Sequence, residues 1–88
     1  MKIIKFGTTH CGMCKIMDKI LMNGNIPADI QIVDAEINID LADKYNVRSV
    51  PVIILFDNKM NEVHRWNGVV KENVIIETIK QYESKQLV

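Results

Sequence analysis

Two cysteines, the only two in the chain, stand at Cys11 and Cys14 with Gly12 and Met13 between them. They follow a short apolar segment and begin a segment whose apolar residues recur at helical spacing. A thiol at a helix N-terminus faces unpaired backbone N–H groups and the positive end of the helix dipole, and both favour the thiolate. Two sulfurs on one helical turn can also bond to each other, so one cysteine can attack a disulfide and the other can release the product. The pattern therefore predicts disulfide exchange.

Three other interpretations compete with this one. A purely structural disulfide that closes so short a loop stabilises the fold by only about 2 kcal/mol. A zinc site built from His10, Cys11, Cys14 and His64 lacks the close second pair of histidines usual in structural sites. Inert, buried thiols would leave the position at a helix start unexplained. Redox exchange is favoured, and a non-catalytic metal-binding module that uses the two cysteines is kept as the alternative.

The length and charge of the chain narrow the choice of partners. Its 88 residues suffice for a single domain spanning 1–88, and 11 basic residues balance 11 acidic ones. This balance indicates neither nucleic acid nor an anionic membrane as a partner, and no segment has the pattern of a signal peptide or a membrane span. We expect a cytoplasmic monomer. In a reducing compartment a cysteine pair is more often catalytic or metal-binding than structural.

Hydrophobic periodicity and turn residues predict seven elements in the order β-α-β-α-β-β-α. The elements are placed at Ile3–Phe6, Met13–Leu21, Ile30–Val33, Leu41–Tyr45, Val50–Phe56, Glu62–Trp66 and Val74–Tyr82. Right-handed crossovers put helices on both faces of a sheet, so the order predicts an α/β fold with three layers, α/β/α, around a four-stranded mixed sheet. Cys11 then lies beyond the carboxyl end of the first strand, where ligands bind in such sheets.

Four segments together carry a family resemblance. They are 11–15 (CGMCK), 41–51 (LADKYNVRSVP), the hairpin 52–66 and Gly68. With these segments, which span nearly the whole chain, the protein resembles the thioredoxin family. The resemblance implies that Cys11 is the exposed nucleophile and Cys14 the buried resolving thiol. It also implies that Pro51 follows a cis peptide bond and lies against the cysteine pair.

The same resemblance implies a set of partners. The substrate is a protein disulfide, and an external reductant, either a thioredoxin reductase or glutathione, resets the pair in an electron-transport role that serves cell redox homeostasis. No cofactor or metal is expected besides the redox-active disulfide. Substrate contacts are expected from Gly12, Met13, Val50, Pro51 and Gly68.

The chain also departs from the thioredoxin pattern. Met13 replaces the usual proline, His10 replaces the usual tryptophan, and Met1 leads directly into the cysteine-bearing strand, which is the shorter plan of glutaredoxins. A glutathione-dependent, glutaredoxin-like reductase is therefore a second alternative, although Gly68 is followed by Val69 rather than by a second glycine. A protonated His10 beside Cys11 is a candidate modulator of the thiolate.

Lys5 is the largest departure, since it aligns with the buried aspartate that accepts the resolving thiol's proton in thioredoxins. A charged lysine cannot accept a proton. We expect Lys5 to be a surface residue whose stem covers apolar surface; the alternative is a cation that lowers a cysteine pKa. Asp34 and Glu36, on the neighbouring strand, are then the candidate carboxylates near Cys14.

Overall fold

The structure, a computed structural model, describes residues 1–86 and has the predicted order of elements. The elements are β1 (Lys2–Gly7), α1 (Gly12–Leu21), β2 (Asp29–Asp34), α2 (Ile39–Lys44), β3 (Val52–Phe56), β4 (Glu62–Asn67) and α3 (Glu72–Gln86). The four strands form one sheet in the order β2-β1-β3-β4. β1 runs parallel to β2 and antiparallel to β3, and β3 pairs with β4 antiparallel. The mixed sheet is therefore confirmed.

Helices cover both faces of the sheet, which confirms the three-layer prediction. On one face Met17 and Leu21 of α1 and Ile75 and Ile79 of α3 pack with Ile3. On the other face Ala42 of α2 packs with a second cluster of strand residues that includes Ile4 and Phe6. All five residues of β3 are buried, because this strand is central and covered on both sides. Alternation along β1 sends odd-numbered residues towards α1 and even-numbered ones towards α2.

The turn between β3 and β4 is organised by Asp57. Its Oδ1 atom accepts hydrogen bonds from the backbone N–H groups of Lys59 and Asn61, both at 2.9 Å, and its Oδ2 atom accepts one from Asn61 Nδ2 at 3.2 Å. The Asn61 backbone N–H, helped by the Asn61 side chain and by Lys59, holds the pKa of Asp57 below its ordinary value of 3.8 despite some desolvation. The turn therefore stabilises the fold while this carboxylate is ionised.

We expect the stability of the protein to fall in acid through this turn. A carboxyl whose pKa is lower in the folded state contributes stability above its unfolded pKa and loses it as the pH falls through the folded pKa. The free energy of unfolding should therefore drop more steeply below about pH 4 in the native chain than in Asp57→Asn, which keeps the shape and cannot ionise. Chemical denaturation at a series of pH values measures the difference. Parallel pH profiles for the two proteins would contradict the assignment.

Candidate active site

The two cysteines lie at the N-terminus of α1, as predicted. Cys11 is the N-cap residue, with extended backbone angles of φ −104° and ψ 110°. Its sulfur accepts a hydrogen bond from the backbone N–H of Cys14 at 3.1 Å, and its carbonyl accepts one from Lys15 N at 3.3 Å. The two sulfurs are joined in a disulfide. The Cys11 sulfur thus occupies the place that an oxygen of Ser or Asp takes in ordinary helix caps, where N–H groups favour negative charge.

Solvent exposure separates the two cysteines clearly. Cys11 is half-buried, and the intervening Gly12 and Met13 are exposed. The Met13 side chain is 50% exposed, whereas Cys14 is 1% exposed. This asymmetry follows from the helix, since Cys14 shares its inward side with Met17 and Leu21. An approaching molecule therefore meets the Cys11 sulfur and not that of Cys14.

Residues from three separate segments meet beside Met13. The Gly68 N–H donates a hydrogen bond of 2.8 Å to the carbonyl of Pro51. Gly68 has φ +90°, and the terminal methyl of Met13 lies 3.9 Å from the position that a Cβ on Gly68 would take. The Val50–Pro51 bond is cis, as the resemblance implied. The candidate contact residues Met13, Pro51 and Gly68 are therefore neighbours, and the positive φ explains why a glycine is found at position 68.

The residues of the zinc alternative are not gathered in one place. His10 is exposed, next to the cysteine pair. The His64 ring instead packs on the ring of Trp66, with a centroid distance of 4.6 Å. Across residues 1–86, no three histidine, cysteine, aspartate or glutamate side chains are clustered as metal ligands would be.

Lys5 corrects one expectation from the sequence, because it is not a surface residue. It is 2% exposed, and its Nζ atom lies 2.5 Å from Oδ1 of Asp18. Lys5 points to the same face of β1 as Ile3 and so faces α1, which covers this side of the sheet. A lysine buried this deeply requires a partner, and Asp18 supplies it.

Lys5 also lies beside the buried cysteine. Both groups adjoin Gly7, since the position of a Cβ on Gly7 would be 2.6 Å from Lys5 Nζ and 3.0 Å from Cys14 Sγ. The ammonium and the sulfur thus lie against the same small volume, which stays free because residue 7 has no side chain. Only a glycine fits here without displacing one of the two groups.

A cleft of about 270 Å³ opens above this ion pair. Its charged lining residues are Lys5, Lys15, Asp18 and Asp34. Of the two carboxylates expected near Cys14, Asp34 therefore reaches the cleft, although its Oδ1 atom already accepts the Glu36 N–H at 2.8 Å. Glu36 itself is exposed. Sequence reasoning missed Asp18, and the available signal was its position four residues after Cys14, on the same side of α1.

Comparison with known proteins agrees with this geometry. The sequence pattern of the Thioredoxin family matches residues 1–81. The chain belongs to the thioredoxin family. Among its relatives is the SPbeta prophage-derived thioredoxin-like protein YosR of Bacillus subtilis, with 32% identity over 92% of this chain and 98% of the relative. Chloroplastic thioredoxin Y of Oryza sativa is 30% identical over 89% of this chain, which spans only 48% of that relative's length.

Solved thioredoxin-family structures have the same fold. A mutant thioredoxin from Halobacterium salinarum superimposes with a TM-score of 0.85 at 25% identity, covering 92% of this chain and 73% of that one. Thioredoxin 1 from Thermosipho africanus gives a TM-score of 0.78 at 27% identity, covering both chains fully.

Within residues 1–86, no helix is long and apolar enough to cross a membrane.

Proposed function

We propose that this thioredoxin-family protein reduces disulfides in protein substrates, with Cys11 as the attacking thiol and Cys14 as the resolving thiol. The observation that carries the proposal is the asymmetry of the pair. Cys11 is accessible and caps α1, whereas Cys14 is 1% exposed behind it. A thiolate at the N-cap is stabilised by N–H groups and can attack, while a buried thiol on the same turn reaches only its neighbour.

The proposed cycle transfers two electrons to the substrate. The Cys11 thiolate attacks one sulfur of a substrate disulfide, and the other substrate sulfur leaves as a thiolate that takes up a proton from water. The Cys14 thiol then loses its proton and attacks the Cys11 sulfur, which releases the second substrate thiolate. The substrate is reduced to two thiols and the protein is oxidised to the Cys11–Cys14 disulfide. A dithiol reductase of the thioredoxin reductase type, or glutathione, returns the pair to the reduced form.

The surroundings of Cys11 suit an extended peptide. The exposed Met13 side chain offers an adaptable apolar contact. Gly12, Val50 and Gly68 contribute accessible backbone surface against which a strand-like segment can lie, and the buried Pro51 supports it from behind. His10, exposed beside Cys11, favours the Cys11 thiolate when it is protonated. We place the activity in the cytoplasm, where a reducing environment supports a dithiol, and assign it to a monomer without a further cofactor or metal.

Trapping the mixed disulfide tests the proposed roles. The Cys14→Ser variant, mixed in its reduced form with a disulfide protein such as insulin, should accumulate a covalent adduct through Cys11, because the resolving thiol is gone. Non-reducing electrophoresis and peptide mass spectrometry identify the adduct and the linked residue. The matched control is Cys11→Ser, in which the remaining thiol is buried and should form little adduct. Equal trapping by both variants would show that the roles are assigned wrongly.

A further inference from the structure

Lys5, which is buried, forms an ion pair with Asp18, whose side chain is 38% exposed, and this pair has no part in the proposed disulfide exchange. Burial of a lysine costs free energy even when it is paired, so a chain gains nothing in stability by placing one here instead of a methionine. Lys5 is nevertheless 2% exposed, and its Nζ atom lies 2.5 Å from Oδ1 of Asp18. The position therefore needs an explanation beyond stability.

The ammonium of Lys5 lies close to the sulfur of the resolving cysteine. Lys5 Nζ and Cys14 Sγ are 2.6 Å and 3.0 Å from one point, the position that a Cβ on Gly7 would take. Cys14 and Asp18 are four residues apart on α1, so the same side of the helix presents the sulfur and the carboxylate to one ammonium group. With Cys14 1% exposed, water screens this interaction poorly.

We propose that the Lys5 ammonium, held in place by Asp18, stabilises the thiolate of Cys14 in the step that resolves the mixed disulfide. This inference rests on the proposed disulfide exchange. The aspartate that Lys5 replaces in the thioredoxin pattern would accept the Cys14 proton. The Lys5 cation instead favours loss of that proton by stabilising the thiolate. The proton passes to water in the cleft above the ion pair, the Cys14 thiolate bonds to the Cys11 sulfur, and the bond between Cys11 and the substrate sulfur breaks.

Any test must distinguish the effect of Lys5 on Cys14 from the effects of the other charged groups in the cleft. Lys5 comes from β1, Lys15 and Asp18 from α1, and Asp34 from the end of β2. Lys15 is exposed, so solvent screens its charge, and it serves as the matched control for removing a lysine from the same cleft. Asp18 carries charge of the opposite sign. In Asp18→Asn the amide oxygen can still accept a hydrogen bond from Lys5 Nζ, so the cation stays in place and the loss of the negative charge should act on Cys14 in the direction opposite to Lys5→Met.

The experiment measures the titration of Cys14 in the Cys11→Ser background, where it is the only thiol. Thiolate absorbance in the ultraviolet, recorded against pH, gives its pKa without requiring access to the sulfur. Adding Lys5→Met should raise that pKa by about 1 or more, which lowers the thiolate fraction at neutral pH about tenfold. Lys5→Arg should keep most of the effect of the cation. Asp18→Asn should lower the pKa, and Lys15→Met should change it much less than Lys5→Met does.

The same substitutions with both cysteines present give the rate of resolution. Stopped-flow release of the substrate thiol should show Lys5→Met slowed about tenfold at neutral pH and recovering as the pH rises, with Asp18→Asn no slower than the native chain. If Lys5→Met leaves the Cys14 titration unchanged, or if Asp18→Asn slows resolution as much as Lys5→Met does, the cation is not the stabilising group and the inference is overturned.

Two further measurements keep the outcomes distinct. The variant Lys5→Met/Asp18→Asn removes both charges, so it avoids an unpaired carboxylate and gives a folded reference if Lys5→Met alone unfolds. It should also titrate Cys14 above the native value. Failure of the native chain to reduce a disulfide would refute the proposed function, whereas a normal native rate with no effect of Lys5 would refute only this inference.

Discussion

Cys11→Ser is expected to reduce disulfide-reductase activity to the rate of uncatalysed exchange, the largest effect of any single substitution on this chain. The serine hydroxyl is not ionised near neutral pH and is a poor nucleophile towards a disulfide, so no mixed disulfide forms. The buried Cys14 thiol, 1% exposed, cannot substitute for it. Reduction of insulin by dithiothreitol, with the protein in catalytic amount, measures the loss.

Because Cys11 is an N-cap residue, this substitution should remove the thiol without disturbing the helix. Serine is among the best N-cap residues, and its oxygen can accept the Cys14 N–H as the Cys11 sulfur does. The helix should therefore remain intact, and the free energy of unfolding of Cys11→Ser should match that of the reduced native chain within about 0.5 kcal/mol. Inactivity together with lost stability would mean that Cys11 acts mainly as a structural residue, contrary to the proposal. Retained activity would contradict it directly.

The sequence predicted that the two cysteines lie at the start of a helix, because the signals for that placement are local. The apolar run 52–56 and the helical spacing after Cys11 both depend on neighbours along the chain. The junction of Met13 with Pro51 and Gly68 came instead from the family resemblance, since those residues are far apart in sequence. Local patterns place elements, and they do not by themselves show which loops meet.

Lys5 shows where this local reasoning fails. Alternation along β1 correctly puts Lys5 on the opposite face from Ile4 and Phe6. Alternation does not show what covers that face. The answer depends on how α1 lies over the sheet, which sets Asp18 opposite Lys5. A lysine within an apolar strand is usually exposed, so the ordinary interpretation was reasonable and wrong. Its burial is a tertiary property, visible only once both elements are in place.

Met17 is the residue whose truncation should most affect the stability of the site. Met17 is 0% exposed and packs from α1 against α3 and the sheet. Its sulfur accepts a hydrogen bond from the Val70 N–H at 3.5 Å. It therefore ties the cysteine-bearing helix to the segment that follows Gly68. We expect Met17→Ala to lower the free energy of unfolding by about 2 to 5 kcal/mol through the cavity it leaves. That is a large share of the roughly 5 to 15 kcal/mol typical of a native domain.

Met17→Leu separates the two contributions of this side chain. Leucine fills nearly the same volume and should cost less than about 1.5 kcal/mol, although it cannot accept the Val70 N–H. Urea denaturation of the reduced proteins gives both values, and alkylation of Cys14 in the Cys11→Ser background reports whether α1 has loosened. Cys14 should react faster in Met17→Ala than in Met17→Leu, because opening of the helix exposes a sulfur that is otherwise covered. If both substitutions cost the same, the hydrogen bond to sulfur outweighs the packing. If Met17→Ala costs under about 1 kcal/mol, Met17 does not anchor the helix that carries the two cysteines.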